Sequence, residues 1–120
     1  MGTFSVGITF APLYEEGEQH DVEVLVDRGA TFTTLPADLL RRSGIYPLQD
    51  CPIVLANGEV EVWPLGMALI GYGEERWPCQ VLFCPRDQYL LGATMLETFR
   101  LAADPVNKLL VPVAIQGRAL

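Results

Sequence analysis

The chain has 120 residues, half of them apolar, and a formal net charge of −7. That length suits one domain, 1–120, with a core of its own, and the apolar share excludes a disordered chain. An acidic chain whose longest basic cluster is Arg41-Arg42 repels phosphate backbones and anionic lipid heads, so neither nucleic acid nor a membrane is an expected partner.

No apolar run approaches the roughly 20 residues needed to cross a bilayer. The first residues carry no basic stretch ahead of an apolar core, so the expected location is cytoplasmic. Met1-Gly2 opens like a myristoylation signal, but Val6 stands where that signal needs Ser or Thr. Cys51, Cys79 and Cys84 form an odd set without the spacing of a ligand pair, and His20 is the only histidine. They read as reduced thiols, and no metal or cofactor is expected.

In chain order, Thr3 to Phe10 and Asp21 to Val26 are β-branched, apolar runs that predict a first hairpin around the solvated Glu15-Glu16-Gly17-Glu18 stretch. A short helix is predicted from Pro36 to Ser43: proline suits its first turn, Gly44 can stop it, and Leu39 and Leu40 face the core. Ile53 to Ala56 and Val60 to Trp63 form a second hairpin around Asn57-Gly58, a dipeptide that tolerates the positive φ of a tight turn. Met67 to Tyr72 and Pro78 to Cys84 read as two further strands separated by turn-forming residues. Leu90-Leu91-Gly92 is a short apolar run broken by glycine, and a short helix is predicted from Thr94 to Phe99. Leu101 to Ala103 and Leu109 to Val113 close the chain as strands around an Asp104-Pro105-Val106-Asn107 turn. The expected class is mainly β with one or two short helices. Trp63 and Trp77 are expected to pack, and His20 to sit on a surface strand.

Several chemistries lack their parts. The chain has no G-x-S-x-G elbow, no second histidine, and no phosphate-cradling glycine loop ahead of a helix. Carboxylate chemistry remains, and Asp27 stands out. It ends the apolar run Val24-Leu25-Val26 and is followed closely by Gly29-Ala30, where the backbone can turn sharply.

The segment Val24 to Thr31 resembles the active-site strand and loop of the retropepsin-like aspartic proteases, here of the single-domain bacterial or archaeal type. Their signature runs Asp, Thr or Ser, Gly, Ala, and Asp27, Gly29 and Ala30 match it. Leu90-Leu91-Gly92, followed by Met95-Leu96, is similar to the motif that passes behind that loop in the family. The Asn57-Gly58 hairpin lies between the two, where the family carries its flap. The resemblance spans about Val22 to Val113. It implies a closed β-barrel, Asp27 as the catalytic carboxylate, Arg28, Gly29, Ala30 and Thr31 as the active-site loop, and Ala56, Asn57, Gly58 and Glu59 as the flap. It also implies a homodimer held by strands near Thr3 to Ile8 and Leu109 to Val113, with a peptide or protein as substrate. Two carboxylates sharing one proton would then supply both the base and the acid that peptide hydrolysis needs.

Arg28 departs from the pattern, because the family has a small hydroxyl there that grips its copy across the dimer axis. Arginine has five donors and no acceptor with which to reproduce that grip. Two guanidinium groups at an axis would repel each other, unless Arg28 turns outward to an acidic partner. Two functions are therefore expected: a homodimeric aspartic endopeptidase, or an impaired, protease-like module for peptide binding or dimerisation.

Overall fold

The computed structural model describes residues 3–14 and 18–117. Glu15, Glu16 and Gly17 of the predicted first turn lie outside the described residues. In chain order the elements are β1 (Ser5–Ala11), β2 (His20–Val26), β3 (Thr33–Pro36), α1 (Ala37–Arg42), β4 (Gln49–Val54), β5 (Val60–Tyr72), β6 (Glu75–Cys84), β7 (Leu90–Leu91), α2 (Ala93–Phe99), β8 (Leu101–Asp104) and β9 (Leu109–Pro112). The fold is mainly β with two short helices, as the sequence pattern implies.

The main sheet runs β1-β2-β7-β3-β6-β5-β4, and β1 also pairs with β5 through Thr9↔Gly71, Phe10↔Ile70 and Ala11↔Leu69. The strands therefore close into a ring, compatible with a retropepsin-like fold, with β4 lying outside it. Inside the ring the alternation of β1 and β2 buries Ile8, Phe10, Val24 and Val26, which meet Leu35, Leu40, Ile70 and Phe83. Leu39 packs beside Leu40, so α1 docks as its sequence suggests. Trp63, Leu65, Leu82 and Cys84 form a second, smaller cluster at the base of the β4–β5 hairpin. β8 and β9 pair in a separate two-stranded sheet.

Three expectations need revision. Val60 to Trp63 and Met67 to Tyr72 are one continuous strand, β5, of 13 residues. Pro64 is tolerated within it because β6 joins β5 only from Leu65↔Leu82 onward, so proline's missing N–H leaves no gap in that ladder. β3 was not evident from the pattern. Its four residues are all buried and pair in parallel with β6, a placement set by tertiary neighbours more than by periodicity. Trp77 is 42% exposed instead of packed, its Nε1 donating to Glu75 at 2.8 Å. His20 does sit at the start of a strand, half-buried and stacked on Phe10 with ring centroids 5.2 Å apart.

Among the described glycines, Gly92 leaves the least room for a side chain against neighbouring backbone. Its N–H donates to Thr33 Oγ1 at 3.2 Å. A methyl at this position would fall 2.6 Å from the Phe32 carbonyl oxygen and 2.8 Å from the Thr33 nitrogen. Gly58, by contrast, has φ +87° with open space around it. Backbone cannot yield as a flexible side chain does, so Gly92→Ala is expected to destabilise the fold by about 3 kcal/mol or more. Gly58→Ala should cost only the left-handed conformational penalty, about 1 kcal/mol. Urea unfolding midpoints of the two variants would check the order.

Candidate active site

β2 delivers Asp27 to the site. Val26 donates its N–H to the Phe4 carbonyl at 2.9 Å, and Asp27 donates its own to the Leu91 carbonyl at 3.0 Å. The chain then turns: Ala30 N–H reaches the Asp27 carbonyl at 3.1 Å, and Gly29 N–H reaches Asp27 Oδ1 at 2.9 Å. A side chain at Gly29 would bring its Cβ to 3.2 Å from Oδ1, tight enough to disturb the carboxylate. The Asp-x-Gly spacing thus orients the carboxylate through a local backbone donor.

Helix α2 completes the loop. It has no side-chain cap, which leaves its first amides needing acceptors. Ala93 donates to the Ala30 carbonyl at 2.8 Å and Thr94 to the Thr31 carbonyl at 3.0 Å. The loop after Asp27 and the segment after Leu90-Leu91-Gly92 therefore satisfy each other's backbone groups, and the two motifs, distant in sequence, form one floor.

Over this floor stands the β4–β5 hairpin. Its turn is closed by Leu55 N–H to Glu59 carbonyl at 2.8 Å, Gly58 N–H to Leu55 carbonyl at 2.8 Å, and Glu59 N–H to Asn57 Oδ1 at 2.9 Å. Between hairpin and floor lies a cleft of about 680 Å³. Asp27, Gly29, Ala30 and Thr31 line it from below, and Ala56 lines it from the hairpin. Asn57, Gly58 and Glu59 lie at the exposed tip, outside its walls. Leu90 lines the cleft as well, while Leu91 and Gly92 are buried behind it. Arg28 is exposed and does not line this cleft; it lines a neighbouring recess of about 200 Å³ with Thr3, Phe4 and Pro105, which Asp27 and Gly29 also border. Neither ion pair among the described residues involves it.

Several residues line the cleft without carrying a site signal in the sequence, where Trp63 reads only as a packing residue. Phe32, Ile53, Trp63 and Leu82 supply apolar walls. Arg86 and Gln88 enter from the loop between β6 and β7. That loop is compact, with Arg86 N–H directed at Cys84 Sγ at 3.4 Å and Gln88 N–H at the Arg86 carbonyl at 3.0 Å. Arg86 Nη2 contacts Glu61 Oε2 at 3.0 Å, and Trp63 Nε1 donates to Glu61 Oε1 at 2.9 Å. Only the pairing of β5 with β4 and β6 reveals this cluster, since nothing local links positions 61 and 86. Cys51 also lines the cleft. Cys79 lies in the core, where burial pushes its thiol up to about 11, so it stays protonated and inert.

The Arg86 hydrogen bond, then the Trp63 hydrogen bond, hold the Glu61 carboxyl below its usual range. A carboxyl so depressed contributes stability above its unfolded value of about 4.5, and that contribution is lost as pH falls through the lower folded value. Because Glu61 ties the hairpin to the β6–β7 loop, amide hydrogen exchange across residues 55–62 is expected to quicken below about pH 4.5. In Glu61→Gln it should be quick already at neutral pH and carry no such step. Exchange followed by mass spectrometry from pH 3 to 7, corrected for intrinsic rates, would test this.

No helix among the described residues is long and apolar enough to cross a membrane. No curated protein matches the chain. The family model described as "gag-polyprotein putative aspartyl protease" matches residues 16–98, a span containing the Asp27 loop, the hairpin, the β6–β7 loop and Leu90-Leu91-Gly92. With more than half of its length matched, and with strands ringed as such a fold requires, the chain belongs to the retropepsin-like aspartyl protease family.

Proposed function

We propose that this chain is one half of an aspartic endopeptidase, completed when two copies pair about a two-fold axis that brings their Asp27 carboxylates together. The observation that carries the reading is the floor of the cleft. Asp27 is held there by the Leu91 carbonyl and the Gly29 amide, below a hairpin that can close over an extended peptide. Symmetry then makes the site isologous, each chain supplying the same half.

In this mechanism the two carboxyl groups share one proton. The ionised one takes a proton from a water molecule as the water oxygen bonds to the scissile carbonyl carbon, while the protonated one gives its proton to the carbonyl oxygen. The resulting tetrahedral diol gives a hydroxyl proton to the carboxylate that is now ionised as its C–N bond breaks. The departing nitrogen takes the proton that the other carboxyl gained from water, which leaves the pair with one shared proton again. Gly29 and Ala30 contact the substrate backbone, and Ala56 to Glu59 cover it. The dimer draws on the segments near Thr3 to Ile8 and Leu109 to Val113. In support, β9 is bonded to β8 alone among the described strands, and Leu109 and Val113 expose their side chains. The protein works in the cytoplasm, where its three free thiols stay reduced.

One observation favours the alternative, a protease-like module with weak or no hydrolysis. Arg28 is exposed, lacks an ion-pair partner among the described residues, and stands where a hydroxyl grip would join the two chains. Paired guanidinium groups at the axis would weaken the dimer and, with it, the site.

Cleavage of a peptide library by the purified protein, at acidic and neutral pH, tests the reading. Asp27→Asn is expected to lower the rate by about a hundredfold or more, since an amide cannot accept the proton of water. Residual cleavage at the original rate would assign the activity to something else. Arg28→Thr should restore two symmetry-related hydrogen bonds at roughly 1 kcal/mol each, tightening the dimer about thirtyfold. Sedimentation at several concentrations measures that change, and a weaker dimer would mean that Arg28 makes a favourable contact of its own.

A further inference from the structure

Resting on the protease reading, the geometry points to Arg86 as a substrate-binding residue that selects a carboxylate side chain flanking the apolar centre of a bound peptide. Among the described residues that line the cleft, Arg86 is the only cation. It shares that cleft with Asp27, so a peptide lying over the carboxylate passes within its reach. The apolar walls, from Phe32, Ile53, Trp63 and Leu82, suit an apolar side chain and offer a charged one nothing, and Gln88 and the threonines that also line the cleft are uncharged. Recognition of an anionic side chain by opposite charge therefore falls to Arg86 in this cleft.

Its placement favours the role. Nη2 is anchored to Glu61, which is anchored in turn by Trp63, while the backbone of the loop is pinned at Cys84 and Gln88. The anchoring uses one nitrogen and leaves the Nε and Nη1 protons for a ligand. The Arg86 side chain remains 56% exposed, so a peptide carboxylate can approach it without displacing Glu61. An arginine already held in place loses little rotamer freedom on binding, which is the usual penalty on a surface ion pair.

The net charge of −7 opposes this preference at long range. At physiological ionic strength, however, exposed charges are screened beyond about 8 Å. A carboxylate in hydrogen-bond contact with Arg86 is governed by that contact, and the distant acidic surface enters mainly through the rate of encounter. In a two-fold dimer Arg86 and its copy stand on opposite sides of the cleft, so the preference should appear at equivalent positions on both sides of the cleaved bond.

Binding can be measured without catalysis. In Asp27→Asn protein, fluorescein-labelled dodecapeptides with a central Leu-Phe pair would carry Glu, Gln or Lys at each flanking position in turn, followed by fluorescence anisotropy. At one flanking distance Glu is expected to bind roughly three- to tenfold tighter than Gln, and Lys more weakly than both. Adding Arg86→Gln should bring the Glu-to-Gln ratio to about one, and Arg86→Glu should put Lys ahead. Thermal unfolding of each variant would verify that it folds. A ratio near one at every position with Arg86 present, or a ratio that survives Arg86→Gln, overturns the assignment. A Glu preference lost in Arg86→Gln but accompanied by no cleavage in the Asp27 protein upholds Arg86 and overturns hydrolysis. Failure of every peptide to bind overturns both.

Discussion

The site depends on a mutual satisfaction of backbone groups between two segments that are far apart in the chain. Helix α2 begins without a side-chain cap, and the loop after Asp27 has carbonyls that no strand ladder takes up. Each segment supplies what the other lacks, through Ala93 to Ala30 and Thr94 to Thr31. Buried backbone groups without partners are strongly disfavoured, so neither segment holds this shape alone. The pairing is possible only because Gly92 lets two backbones meet at a distance where any side chain would intrude. The position of the Asp27 loop follows from it, and the Gly29 amide then orients the carboxylate.

A second constraint comes from β5. One strand carries Val60 and Glu61 in the hairpin, Trp63 in the cleft wall, and Ile70 in the main core. Its pairing with β4 holds the hairpin, its pairing with β6 runs along the side of the ring, and its pairing with β1 closes that ring. The hairpin is thus a cantilever rooted in the core, not a loop hung from the surface. Glu61 and Arg86 brace it where it leaves the ring, which is why the charge near the cleft and the position of its cover share residues.

Much of this was legible in the sequence because its determinants are local. Asp27, Gly29 and Ala30 are close neighbours whose types dictate the turn, Asn57-Gly58 carries its own backbone preference, and Leu90-Leu91-Gly92 shows an apolar run ended by the one residue that fits. β3 was hidden because Thr33 to Pro36 is short and ends in proline, and only its burial between β6 and β7 makes it a strand. The unity of β5 was hidden by Pro64 and Gly66, which read as breaks unless the neighbouring strand's start is known. Arg86, Gln88, Phe32 and Leu82 reached the cleft by register and loop geometry, which no periodicity encodes. The family resemblance supplied order along the chain, whereas the charge in the cleft is a property of this chain's own residues.

The distance in sequence between the two halves of the floor has a consequence for the nascent chain. Asp27 leaves the ribosome long before Thr94 exists. At about 5 to 20 residues per second, the 27–31 loop waits roughly 3 to 13 seconds for the helix amides that shape it. Through that interval the Ala30 and Thr31 carbonyls lack their partners, and the cleft has no floor. The loop that carries Asp27 therefore gains the partners that shape it only after residue 94 has been added, while the segments before it are already waiting.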